Sequence, residues 1–184
     1  MKKLFLIIAS IFTLSIIGLL ISTNFIFIKS TVTTKNPESI NIYKNSTSSL
    51  NSKSYKEKDS EYKEIISKVS NLGNISIFDR LISGSSLDDK IIQSKDDEYS
   101  DNITDIKKAN VCIEYIFESK QDKIIFIDGN SKVINFNKLL FVIPTNSGVN
   151  DIIIYYASDK GYESYNPLVM RGKSDSLINF INNI

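Results

Sequence analysis

The sequence predicts an α+β protein: an amino-terminal transmembrane helix, then one domain with a mainly antiparallel sheet of four to six strands packed against two or three helices. Three observations predict it. Residues 4–28 (LFLIIASIFTLSIIGLLISTNFIFI) carry no charge; two later stretches, around residues 60–72 and 174–183, repeat apolar residues at helical spacing; and from Asn110 onward the chain turns to β-branched and aromatic runs separated by turn residues.

The leading run is bracketed by Lys2 and Lys3 on one side and Lys29 on the other. At 1.5 Å per residue it reaches roughly 37 Å, enough to cross about 30 Å of hydrocarbon with some tilt. A cleavable signal has a shorter apolar region ending in an A-x-A-like site. None stands here, and polarity first rises at Ser22 and Thr23, beside bulky Leu20 and Ile21. An anchor retained in the membrane is expected, with secretion after cleavage near residue 23 as the alternative. Lys2 and Lys3 outweigh Lys29, which places the amino terminus in the cytoplasm and the remainder outside. The expected organisation is a cytoplasmic tip (1–3), the anchor (4–28), a polar linker (29–37) ending at Pro37, and an extracytoplasmic domain (38–184).

Within that domain, Ile40 and Ile42 alternate with Ser39 and Asn41 as a half-buried strand does. The Ser- and Asn-rich stretch after it reads as a turn, and a returning strand over Lys53 to Lys58 completes a hairpin. Tyr62, Ile65, Ile66, Val69 and Leu72 share one helical face, with Asp59 or Ser60 as cap and Gly73 as stop. A short second helix is expected over SIFDRLISG (76–84). Seven acids and two lysines between Ser86 and Asp105 predict a solvated acidic loop. Five strands follow, VCIEYIFES, KIIFIDG, KVINFN, KLLFVIP and DIIIYYAS, whose short connections predict an antiparallel meander. In the first, Val111, Ile113, Tyr115 and Phe117 face the core, and Glu114 and Glu118 take a wet side. Ile152 to Tyr156 are apolar on both faces and suit a central strand. A closing helix over residues 174–183 carries Leu177, Ile178, Ile181 and Ile184 on one side, with Ser174 or Asp175 as cap.

Composition excludes several chemistries. The formal charge of +1 becomes −1 once Lys2 and Lys3 are set aside, which invites no nucleic acid. The chain has no histidine, so the commonest general base and transition-metal ligand are missing. Cys112 is the only cysteine; no intrachain disulfide can form, and its place in a strand predicts an inert buried thiol. Gly172, Lys173 and Ser174 match the end of a phosphate-binding loop, but Pro167 stands where the first glycine belongs, so neither nucleotide nor other cofactor is expected. The acidic stretch lacks calcium-loop spacing, and no metal site is expected.

Two sets of residues remain as candidates. Ser60 and Lys63 make an S-x-x-K pair, the spacing of serine acyl-enzymes, without the companion S-D-N and K-T-G signatures. Tyr162, Tyr165 and Arg171 could anchor a protein or glycan partner, although tyrosine near a sheet edge is more often packing.

PESINIYKN, YKEKDSEYKEII, CIEYIFESKQDKIIF and KLLFVIP together resemble small membrane-anchored or secreted proteins of low-GC Gram-positive bacteria, mostly uncharacterised. The resemblance implies a location, an anchor with a small α+β domain beyond it, and brings no catalytic residues. The expected role is a non-catalytic binding or regulatory module that contacts lipid through residues 4–28 and an envelope protein or cell-wall component through its domain. The competing class is an extracytoplasmic acyl hydrolase built on Ser60 and Lys63.

Overall fold

A computed structural model of the chain describes residues 12–13, 15, 35–45, 50, 52–73, 92–93, 102–127, 130–158, 161–162 and 167–184. The anchor over residues 4–28, the helix expected at 76–84 and Tyr165 lie largely or wholly outside the described residues. Among the described residues no helix is long and apolar enough to cross a membrane.

The expected hairpin is present: β1 (Ser39–Tyr43) pairs antiparallel with β2 (Ser52–Lys56), and α1 (Ser60–Ser70) follows. Asp59 precedes α1 but does not cap it; its Oδ2 accepts from the Lys56 backbone N–H at 2.7 Å and so closes the turn out of β2 instead. After a two-residue β3 (Ile92–Gln93) comes α2 (Ile103–Ala109), whose start falls in the stretch expected to be an acidic loop. Acidity there conceals Ile103 and Ile106, one helical turn apart, and Asn102, whose side chain accepts from the Thr104 N–H at 2.9 Å as an N-cap.

The four strands expected between Val111 and Pro144 are two long ones, β4 (Val111–Ile127) and β5 (Asn130–Ile143), paired along their length. The polar SKQ read as a break is a bulge. Pairing stops at Ile116 with Lys138 and resumes at Gln121 with Phe136, leaving extra residues on β4 alone. Ser119 and Lys120 are exposed there, so their polarity marks an outward kink and not a reversal of the chain.

β6 (Val149–Ser158) continues the meander and is a central strand, as its apolar run requires; β7 (Gly161–Tyr162) and β8 (Leu168–Lys173) both pair with it. α3 (Asp175–Asn183) closes the chain with Leu177 and Ile181 buried. Among the described residues the sheet has eight strands against the four to six expected, in the order β2-β1-β4-β3-β8-β6-β5, with β4 also paired to β5. It is antiparallel except where β3 meets β4. Because β3 bridges β8 to the far end of β4, the pairings run in a closed circuit.

Strand alternation divides the side chains between two faces. On the first, Ile40, Ile42, Ile113, Tyr115, Phe117, Leu139, Phe141, Ile152 and Ile154 meet Tyr62, Ile65 and Val69 of α1 and Leu177 and Ile181 of α3. Tyr115 packs edge-on against Phe141, with ring centres 5.2 Å apart. Each such aliphatic or aromatic side chain contributes roughly 1.5–3 kcal/mol on burial, so this face holds most of the stability. On the second face Tyr43, Cys112, Leu140 and Tyr155 form a smaller cluster, capped by Ile106 of α2.

The Gly172-Lys173-Ser174 sequence has a packing role in this fold. A Cβ on Gly172 would stand 2.5 Å from the Leu72 carbonyl oxygen and would also strike Ile152, while the Lys173 N–H donates to that same carbonyl at 3.0 Å. Ser174 Oγ donates to the Pro144 carbonyl at 2.6 Å. Glycine is therefore required by the close crossing of β8 and the end of α1. Gly172→Ala should lower the unfolding free energy by about 1–3 kcal/mol in a urea titration, through overpacking against backbone that cannot yield. Val133→Ala, at an exposed strand position, should change it by less than about 1 kcal/mol.

Candidate functional site

Glu114 was expected on a wet face. It is only 5% exposed, because α2 lies over the second face of the sheet at that point. Alternation along β4 puts Glu114 opposite Ile113 and Tyr115, and register sets Asn41 of β1 directly beside it. Tyr43, two residues along β1, emerges on the same face. Lys107 follows Ile106 on α2 and reaches down from above, and Tyr162 comes in from β7.

Four donors converge on the one carboxylate. Oε1 accepts from Lys107 Nζ at 2.8 Å and from the Tyr162 hydroxyl at 2.7 Å. Oε2 accepts from the Tyr43 hydroxyl at 2.7 Å and from Asn41 Nδ2 at 3.1 Å. A carboxylate offers about four acceptor sites, so this one is saturated. Lys107 also donates to the Tyr43 oxygen at 3.2 Å, and its ammonium lies 4.4 Å from the centre of the Tyr43 ring and 5.5 Å from that of Tyr162. The cation is thus held by one anion and two aromatic faces.

Burial alone would raise the Glu114 pKa; hydrogen bonds from Lys107, Tyr162, Tyr43 and Asn41 outweigh it and bring the group to about 2. Burial first, and then the neighbouring Glu114 charge, push both Tyr43 and Tyr162 above the ordinary phenol value, so both stay neutral donors. Burial likewise pushes the Cys112 thiol up to about 12, which keeps it unreactive, as the sequence suggests. In this hydrogen-bonded form the pair is stabilising above the ordinary carboxyl pKa of 4.5, and the contribution is lost as the pH falls through about 2. Its size is about 3 kcal/mol.

Of the residues proposed from sequence, Tyr162 and Arg171 are not brought together, while Ser60 and Lys63 stand one turn apart at the start of α1. Tyr162 spends its hydroxyl on Glu114. Arg171, on β8, is exposed and pairs with Asp151 across the strand at 2.8 Å. Tyr162 is in register with Ala157 and Arg171 with Asp151, so along β6 they are about 20 Å apart. Ser60 Oγ donates to Glu61 at 2.7 Å, and the shallow cleft it lines, about 490 Å³, includes Lys53, Lys58 and Asp59 but not Lys63. No group of His, Cys, Asp or Glu among the described residues could hold a metal ion.

No known protein family, curated protein or solved structure matches this chain. What the cluster does follows from its geometry. A saturated carboxylate under a helix has no position left for a substrate from outside; it ties β1, β4, β7 and α2 into one unit. Sequence reading missed Glu114 and Lys107 because nothing local signals that α2 covers β4. The retrievable clues were Asn102 as a cap and the Ile103, Ile106 spacing.

In the hydrogen-bonded form, removing the ammonium alone leaves a buried anion. Lys107→Met should cost about 3 to 5 kcal/mol in equilibrium unfolding. Adding Glu114→Leu to that variant should recover a clear part of the loss, since two apolar side chains then replace the broken pair. Equal or greater destabilisation in the double variant would argue against the pair as the tie between α2 and the sheet.

Proposed function

We propose that the chain is a single-pass membrane protein, amino terminus in the cytoplasm, whose outer domain is a non-catalytic binding or regulatory module for an envelope protein or wall component. The anchor reading rests on the charge-free run of residues 4–28 and the flanking Lys2 and Lys3. The non-catalytic reading is carried by one observation. The buried ionic cluster of Glu114, Lys107, Tyr43, Tyr162 and Asn41 has its carboxylate wholly occupied by the protein's own donors.

The domain sits close to its anchor. Pro37 is buried, its carbonyl accepts from the Tyr62 hydroxyl, and the Glu38 N–H donates to the Ile116 carbonyl at 2.8 Å. Folding therefore starts at residue 37, and residues 29–36 can separate domain from lipid by no more than roughly 28 Å when fully extended. A module on so short a tether meets partners held in or near the same membrane more readily than distant ones.

Placement is tested with single introduced cysteines and a membrane-impermeant maleimide on intact cells. Cys112 is buried and stays silent. Lys44→Cys, at an exposed position, should label on intact cells, and Lys3→Cys only after lysis. Labelling of the Lys3→Cys protein from outside, or protection of the Lys44→Cys protein, contradicts this topology; recovery of the chain in the medium with a new amino terminus near residue 23 favours secretion instead.

A further inference from the structure

Lys107 and Asn41 are two groups that can be joined, an amine and a carboxamide, and both hang from the same buried carboxylate. Nζ of Lys107 is 2.8 Å from Oε1 of Glu114, and Nδ2 of Asn41 is 3.1 Å from Oε2. The Tyr43 hydroxyl completes the arrangement, 2.7 Å from Oε2 and 3.2 Å from Nζ, with Asn41 beside it. The Lys107 and Glu114 side chains are only 12% and 7% exposed, and the rings of Tyr43 and Tyr162 flank the amine. We propose that Lys107 and Asn41 are joined by an intramolecular isopeptide bond, formed within the folded domain with Glu114 as the proton carrier.

The chemistry balances without a co-reactant. The Lys107 ammonium passes one proton to Oε1 of Glu114, and the neutral amine attacks Cγ of Asn41. The tetrahedral adduct moves a second proton from Nζ, by way of the Glu114 carboxyl, to Nδ2. The Cγ–Nδ2 bond then breaks, the new Cγ–Nζ amide remains, and ammonia leaves with the proton held by Glu114, as ammonium. One ammonium and one amide enter; one amide and one ammonium leave; Glu114 ends as the carboxylate it began. Nothing is oxidised or reduced.

Aminolysis of an unactivated amide is slow in water, but holding the reactants together is worth an effective concentration on the order of 10⁵–10⁸ M, and the reaction has to happen only once per molecule. Enclosure by two aromatic rings excludes the water that would keep the amine fully solvated as an ammonium. The proton transfer from Lys107 to Glu114 that frees the amine is the slow part of a single maturation event. The product is a covalent link from β1 to α2 in a chain whose one cysteine rules out an intrachain disulfide. This step is independent of which partner the domain meets.

Intact-mass spectrometry of the purified full chain, in detergent, decides the matter. The native protein should weigh one ammonia less than its sequence, and proteolysis should yield a branched peptide joining the segments that contain Asn41 and Lys107. Asn41→Ala, Lys107→Arg and Glu114→Gln should each restore the full mass; the Asn41→Ala change is at a half-buried sheet position and is the variant most able to fold. Retention of the loss in the Lys107→Arg protein would assign it to cyclisation of an asparagine and overturn the proposal. So would a native protein at full mass after prolonged incubation. A second readout is acid unfolding. Cross-linking removes the ammonium that holds Glu114 at low pKa, so the loss of stability on going from about pH 4.5 to about 2 should appear in the Asn41→Ala protein and be absent from the native one.

Discussion

A carboxylate in the middle of a β-strand, covered on its own face, survives only if its lone pairs are met, because an unpaired buried charge costs several kcal/mol. Glu114 imposes that condition on this fold. Meeting it requires Asn41 and Tyr43 on β1 in one particular register, Tyr162 on β7 above β4, and α2 placed so that Lys107 reaches down beside Ile106. A one-residue slip between β1 and β4 would send Asn41 and Tyr43 to the other face and leave the carboxylate with half its donors. The cluster thus specifies register and helix placement, and the first face, packed with aliphatic and aromatic side chains, supplies the bulk of the stability.

The two faces also divide the molecule by role. Helices α1 and α3 cover the larger core, and the close crossing at Gly172 locks β8 against the end of α1. The second face is covered by a seven-residue helix too short to be stable alone. Isolated from the sheet, α2 would melt; it persists because Ile106 reaches the Tyr43, Cys112, Leu140 and Tyr155 cluster and because Lys107 finds an anion. The polar contact decides where α2 sits, and the apolar contact decides that it stays.

Much of the scaffold was legible in the residues. Period-2 alternation located β1 and the first half of β4, a run apolar on both faces located β6, and helical spacing located α1 and α3 with their buried Tyr62, Ile65, Val69, Leu177 and Ile181, whereas Ile66, Ile178 and Ile184 on the same faces are only partly buried. Errors arose where one signal stood for two causes. Polar residues at 119–121 signalled solvent, which both a turn and a bulge provide, so β4 was divided. Gly172 and Lys173 were weighed as a phosphate loop, so β8 went unseen, yet the glycine answers to the Leu72 backbone. The acidic character of residues 86–105 masked the start of α2, and with α2 unseen Glu114 had to be read as exposed. Tertiary cover is not a local property, and the candidate site is made of it: its members come from positions 41, 43, 107, 114 and 162, and no window of sequence contains them together.

The central claim is that the Glu114 cluster holds α2 onto the sheet as part of the cooperative fold. Amide hydrogen exchange measures this directly. The N–H of Asn110, bonded to the Ile106 carbonyl at 3.0 Å, and the amides of the last turn of α2 should exchange with an opening free energy close to that of the β4 amides at Cys112 and Ile113. Exchange of the α2 amides at rates near those of an unstructured peptide, with β4 still protected, would mean that α2 is not held by the cluster and would contradict the account.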